Sequence, residues 1–325
     1  MLIIDGHLDM AFNALFNRRD LTQPVNVLRE REDAGRSTKS LFGKHLQFEQ
    51  PGTATVSLPD MRKGQIGIIV SSIMARVQVP ATLNAVRTQA TTYGVGQGHL
   101  AYYRALERAG EITCIKTVRD LEACVTAWEN PTSKTPVGLI LSMESADPIM
   151  GPDQVQEWKE TGLRSVGLTH FGANTYGHGT GTVGGLYSPA YPLMDALRET
   201  EIAIDLTHAS DLTFWQILDY WDGPVHASHC NCRALVPGQR HLTDDMILAI
   251  TERGGVIGMV FAESFLNAQW NWEDTVTHTP TATRSMKAVV EHIDHICELV
   301  GNCDHVGFGT DLDGGFGREL APTDY

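Results

Sequence analysis

Histidines and carboxylates recur in this chain at the ends of short apolar runs. The segment Asp5-Gly-His7-Leu-Asp9 sets an imidazole and a carboxylate two residues apart. Side chains at that spacing project to the same face of a strand, so His7 and Asp9 can chelate one cation. Further along stand Ser142-Met-Glu144, Thr169-His170, Thr207-His208, Ser228-His229 and Thr310-Asp311. Taken singly, each has an ordinary explanation. A strand-end histidine is more often hydrogen-bonded in a core or loop, and an acidic residue there often caps a helix. Taken together, six imidazoles and carboxylates on one rim would be costly to desolvate without a compensating cation. Nitrogen and oxygen donors without thiolates suit zinc, with manganese, cobalt or iron as substitutes. The carboxylates Asp9, Glu144 and Asp311 and the neutral imidazoles His7, His208 and His229 make a natural set for two Zn2+ ions. A single ion would leave excess negative charge in a poorly solvated pocket.

Donors so far apart in sequence meet only if a fold collects the run ends. Eight apolar runs bounded by turn residues read as strands: 2–5, 66–74, 137–143, 164–169, 202–207, 225–229, 256–261 and 305–310. Most are nearly continuous in Ile, Val and Leu, as in parallel strands covered on both faces. Amphipathic segments of helical period lie between them at 98–109, 117–129, 187–199, 211–220, 243–253 and 283–300. This alternation predicts an α/β fold, a single (β/α)8 TIM barrel spanning 1–325, whose functional groups sit at the C-terminal strand ends. No G-x-G-x-x-G follows the first run, which weakens a dinucleotide-binding alternative. About 60 residues separate the first two runs, so a long elaborated loop with its own helix is expected after strand 1. The sequence ends at Ala321-Pro-Thr-Asp-Tyr325, where an eighth helix would begin; either a further segment follows or another element covers that face.

The formal net charge of −14 would repel a phosphate backbone, and no basic patch offsets it, so nucleic acid is a poor candidate for the main partner. The densest charge run, Arg29-Glu-Arg-Glu-Asp33, mixes signs and reads as a solvated helix face. None of the six cysteines makes a C-x-x-C pair. They read as reduced thiols of a cytoplasmic protein. Leu2-Ile-Ile4 runs directly into polar residues, unlike a secretory signal, and no apolar stretch reaches the ~20 residues of a membrane helix. No membrane partner is expected. The oligomeric state stays open, a homodimer included.

In order along the chain, Asp5-Gly-His-Leu-Asp9, Leu58-Pro-Asp-Met-Arg-Lys-Gly64, Glu144, Leu168-Thr-His170, Asp205-Leu-Thr-His208, Ser228-His-Cys-Asn-Cys-Arg-Ala-Leu235, Arg240 with Asp244-Asp245, and Gly309-Thr-Asp311 resemble the renal, or membrane, dipeptidase family of zinc metallopeptidases, within the amidohydrolase superfamily. Each element is weak alone; the ordered set, covering nearly the whole chain, is specific. The resemblance implies a binuclear dipeptidase acting on dipeptides with a free C-terminal carboxylate, D-residues at that position included. It implies that Glu144 bridges the metals, that His7, Asp9 and Asp311 hold the first, and that His208 and His229 hold the second. Related barrels with a bridging carbamylated lysine carry it at the end of the fourth strand; here that position is His170, in agreement with Glu144 as the bridge. His170 would stabilise an oxyanion. Arg240 would grip the substrate carboxylate with its planar donor fork. Asp311 would act as the catalytic proton carrier.

Two features depart from the family pattern and are expected near the substrate pocket: His241, where an Asn commonly follows the arginine, and the glycine-rich stretch Phe171–Gly185. His178 in that stretch reads as a loop or capping residue, Cys230 and Cys232 as packing residues turned from His229, Asp313-Gly314 as a turn, and His292 with His295 as a core or solvated helix face. Rival functions are another small-amide hydrolase, a metal-dependent phosphoesterase, whose substrate would want a basic approach surface, and a non-catalytic binding protein, which would lack one of the donors.

Overall fold

Among the described residues, nine parallel strands form the frame: β1 (Ile3–Leu8), β2 (Ile66–Met74), β3 (Ile112–Cys114), β4 (Val137–Glu144), β5 (Leu163–Gly167), β6 (Ala203–Asp205), β7 (Val225–His226), β8 (Ile257–Met259) and β9 (Val306–Phe308). The computed structural model describes residues 1–37, 52–77, 88–269 and 286–325. Hydrogen bonding orders the strands β7-β6-β5-β4-β2-β1-β9-β8, and a parallel bridge between Ala227 and Ile257 joins the two ends. The result is the expected eight-stranded (β/α)8 barrel. β3 lies off this path and pairs with the start of β4.

The apolar runs form strands because both faces are covered. In β4 every residue but Ile140 is buried. β2 and β4 pair without a break from Ile68–Gly138 to Met74–Glu144, which delivers Glu144 to the rim. The later strands are shorter than their apolar runs. β6 stops at Asp205 and β9 at Phe308, and three residues beyond each end His208 (φ 64°) and Asp311 (φ 56°) take left-handed backbone. Gly309 makes closure feasible: a Cβ there would sit 1.8 Å from the Ser228 carbonyl oxygen.

The helices follow the amphipathic segments: α4 (Gln89–Arg108), α5 (Val118–Ala127), α7 (Ala190–Glu199), α8 (Asp211–Tyr220), α9 (Asp244–Thr251) and α11 (Met286–Val300). Ser210 and Thr243 cap α8 and α9 by accepting the Thr213 and Met246 N–H groups. Residues 283–285 of the last expected helix lie outside the described residues. Sequence periodicity does not reveal β3, whose three residues lack an apolar run, nor the short α6 (Val155–Thr161) and α10 (Glu263–Leu266). Among the described residues no helix is long and apolar enough to cross a membrane.

The excursion after β1 carries helices of its own, α1 (Met10–Leu15), α2 (Val25–Ser37) and α3 (Leu58–Lys63). The Asp313 carboxylate pins it beside the barrel mouth, accepting from Thr55 N (2.8 Å), Thr55 Oγ1 (2.6 Å) and Val56 N (3.2 Å) and pairing with Arg19 Nη1 at 3.2 Å. Asp313 does occupy a turn, at φ 66°, but it also buttresses the rim. The last residues cover part of the same region: Tyr325 N donates to Thr55 O (2.8 Å) and Ser57 N to Tyr325 O (3.1 Å).

Candidate metal centre

Six strand ends place their polar residues around one point. Glu144, the last residue of β4, lies at its middle. Its Oε1 is 3.1 Å from His208 Nε2, 3.3 Å from His229 Nε2 and 3.3 Å from His170 Nε2, and its Oε2 is 3.9 Å from His7 Nε2. His7 Nε2 in turn stands 3.8 Å from Asp9 Oδ1 and 3.8 Å from Asp311 Oδ1. Glu144, His7, Asp9, His208, His229 and Asp311 are all buried, while His170 is half-buried. Every residue singled out for metal binding therefore converges.

Among the described residues, three sets of donors each bring their ligand atoms within 4.8 Å of one another: His7–Glu144–His229, Glu144–His170–His208 and His7–Asp9–Asp311. Donors about 2.1 Å from a tetrahedral ion lie about 3.4 Å apart, which is the spacing seen here. His7 Nε2 is buried and has no hydrogen-bond partner, an expensive state unless a cation takes its lone pair. The outer ring nitrogens are provided for: His229 Nδ1 meets Ser228 Oγ at 2.8 Å and His208 Nδ1 meets Thr180 Oγ1 at 3.1 Å. With a cation in the centre these hydroxyls can accept Nδ1–H and leave each Nε2 lone pair to the metal, whereas without one Nε2 can carry the proton and donate to Glu144 Oε1. The residues thus fit one or more divalent ions.

The electrostatics agree. Burial pushes the Asp311 carboxyl well above its usual range and raises that of Asp9, and in both Glu144 adds to the effect. Burial also acts to raise Glu144, but the His170 charge and hydrogen bonds from His170, His208 and His229 outweigh it and hold Glu144 well below. Burial lowers His208 and His229 well below the usual imidazole range, the neutral form a ligand needs. For His7 burial acts downward, yet the Glu144, Asp9 and Asp311 charges outweigh it. Such a cluster holds protons where a cation would otherwise sit.

Arg240 is buried and stacks over the Phe265 ring, 5.0 Å from its centroid. It donates to His229 O (2.8 Å) and Cys230 Sγ (3.3 Å), its Nε has no partner, and among the described residues it pairs with no carboxylate. A cavity of about 490 Å³ opens over the centre and exposes Asp9, Glu144, His170, His208, Asp311 and Arg240. His241 is not in its lining: its buried ring stands edge-on behind Phe265 at 5.3 Å, and burial drops its pKa to about 3. The glycine-rich stretch does reach the cavity through Phe171, while Gly179 packs so tightly that a Cβ would meet the His170 carbonyl oxygen at 1.7 Å. His178 is taken up by Tyr187, whose hydroxyl lies 2.9 Å from Nε2. His292 accepts the Cys232 N–H at 3.1 Å and His295 pairs with Asp244 at 2.8 Å, both away from the centre.

Sequence reading assigned no role to the residues that brace the donors. Ser72 hydrogen-bonds Asp9, and Thr180 supports His208. Asp205 Oδ1 accepts both Thr207 N and Ser228 N at 3.0 Å, tying β6 to β7 just before His208 and His229. Asp5 Oδ1 does the same for His7 N (3.1 Å) and Thr310 N (2.9 Å) across β1 and β9. A carboxylate two residues before a polar strand end is the available signal. Asp205→Ala would leave two buried N–H groups unsatisfied and should cost about 3 kcal/mol in urea unfolding, whereas Asp205→Asn, which keeps an acceptor, should cost about 1 kcal/mol. Equal losses would contradict this bracing role.

A family model described as membrane dipeptidase (peptidase family M19) matches residues 1–320. The chain belongs to that family. An M19 crystal structure, that of the dipeptidase AC, a metallopeptidase, superposes with a TM-score of 0.73 at 25% identity, covering 97% of this chain and 86% of that one. A metallopeptidase from Rhodobacter sphaeroides, liganded with a phosphinate mimic of the dipeptide L-Ala-D-Ala, gives a TM-score of 0.74 at 24% identity, covering 99% and 89%. An uncharacterized protein of the pqqA 5′ region of Klebsiella pneumoniae is 29% identical over 215 residues, 63% of this chain and 73% of that protein. The chain spans 58%, 42%, 41% and 39% of four further curated relatives.

Proposed function

We propose that this M19 chain is a binuclear zinc-dependent dipeptidase, hydrolysing the amide bond of dipeptides that carry a free C-terminal carboxylate. The observation that carries the reading is Glu144, one carboxylate within 3.1–3.9 Å of four histidine nitrogens and flanked through His7 by Asp9 and Asp311. His7, Asp9 and Asp311 would hold one ion and His208 and His229 the other, with Glu144 shared. When bound, the ions supply Lewis acidity that acidifies water and polarises the scissile carbonyl.

The chain's own groups divide the remaining work. Asp311 would take a proton from the attacking water and return it to the departing amine nitrogen. His170, at the cavity wall beside Glu144, would donate a ring N–H to the developing oxyanion. Arg240 would bind the substrate carboxylate, a role supported by a buried guanidinium without an acidic partner among the described residues. The L-Ala-D-Ala mimic bound to the Rhodobacter protein supports including D-residues at the C-terminal position. Six free cysteines suit the proposed cytoplasmic location.

Zinc-reconstituted protein should hydrolyse members of a panel of L,L and L,D dipeptides. Chelation should remove activity by at least about 100-fold, and added Zn2+ should restore it. Turnover of a generic phosphodiester but of no dipeptide would replace this reading with a phosphoesterase.

A further inference from the structure

Large apolar side chains normally vanish into the core, yet around this cavity they do not. Phe12, Met74, Phe171, Phe265, Phe316 and Leu320 all line it, and none is fully buried. Phe171 is 42% exposed although its ring touches those of His170 and His208, with centroids 5.2 and 4.8 Å apart. They lie at the end of β2 (Met74) or in the segments that follow β1, β5, β8 and β9, so apolar surface rims the centre from several sides. Phe265 is additionally fixed between the Arg240 guanidinium and the His241 ring. Exposed apolar surface of this extent beside a polar centre is held in water at a free-energy cost that a ligand can recover.

We propose that Phe12, Met74, Phe171, Phe265, Phe316 and Leu320 select dipeptides with large aliphatic or aromatic side chains, over small or charged ones. The inference rests on the dipeptidase reading above. The cavity volume of about 490 Å³ falls within the about 300–1,000 Å³ of sites that enclose drug-sized ligands. A substrate the size of diglycine would leave most of it to water. A leucyl or phenylalanyl side chain would displace that water from apolar walls, at roughly fourfold in affinity per buried methylene. Of the charged groups that share the lining, Asp9, Glu144 and Asp311 belong to the metal centre, Arg240 is assigned to the substrate carboxylate, and Glu319 already accepts from Thr53 N at 3.1 and 3.2 Å, so a charged side chain against the apolar walls would be desolvated with little return.

The test uses the full zinc-loaded chain and the substrates Ala-Ala, Leu-Leu, Phe-Leu, Lys-Lys and Glu-Glu. The expected kcat/KM for Leu-Leu exceeds that for Ala-Ala by about 50-fold or more, with the charged pair below both. Phe171→Ala and Phe316→Ala should each lower the Leu-Leu to Ala-Ala ratio about tenfold, a ratio that loss of folded protein does not move. Ala-Ala or a charged dipeptide turned over as well as Leu-Leu would overturn the specificity while leaving the dipeptidase reading intact. An unchanged ratio in both variants would remove these side chains from it. Absence of turnover with every dipeptide would overturn both.

Discussion

Replacing Asp311 by Asn should lower kcat by about 10³-fold while most of the bound metal stays in place. The expectation follows from what the substitution removes. Asparagine keeps a carbonyl oxygen at the position of Asp311 Oδ1, 3.8 Å from His7 Nε2, so the ligand set loses a charge and little geometry. It cannot, however, accept and return a proton at neutral pH. Positioned proton transfer of this kind is worth roughly 10²–10⁴-fold. The left-handed backbone at Asp311 (φ 56°) is one that Asn adopts as readily as Asp, so the fold should be unaffected. Metal content by elemental analysis together with kcat on the best dipeptide checks the two halves separately. Unaltered activity would remove Asp311 from proton transfer. Loss of metal in proportion to activity would make it a ligand only.

The donors were legible because a strand end is a position with a meaning. In a barrel the C-terminal rim is shared by all strands, so an apolar run closing on His or Asp predicts convergence without knowledge of any contact. His7, Asp9, Glu144, His208, His229 and Asp311 meet for that reason. What the sequence hides is pairing register. Ser72 looks like an interruption of the run Ile66–Met74, and only its position beside Asp9 gives it a role. Cys230 and Cys232 are buried packing residues, as expected, although strand alternation is not the reason, since β7 ends at His226; the Cys230 sulfur also meets Arg240 Nη1 at 3.3 Å. His241 does mislead. Adjacency to Arg240 in sequence does not carry it to the cavity: both residues pack on Phe265, but only Arg240 reaches the lining.

Glu144→Gln should have the larger effect on metal binding, because this one carboxylate faces four imidazoles. A neutral amide offers one weak oxygen donor where the carboxylate offers two charged ones, so metal affinity should fall by at least about 100-fold. The readout is independent of turnover. Ligand binding to the native state stabilises it by about 4 kcal/mol at a thousandfold excess over Kd. For a chain of this length that is a rise in Tm of roughly 6 °C on zinc addition. The wild type should display that rise, and at the same zinc concentration the Gln variant should keep about 2 °C of it or less. The metal-free forms need not differ in the same sense. In the absence of cations, burial and the Glu144 charge both raise the Asp9 and Asp311 carboxyls, so neutralising Glu144 relieves repulsion there, although it weakens the hydrogen bonds to His208 and His229. Metal-free Gln variant should therefore unfold within a few degrees of metal-free wild type, which separates lost coordination from a lost fold. A full zinc-induced shift in the variant would mean that the ions are held without Glu144, and the shared-ligand arrangement would have to be abandoned.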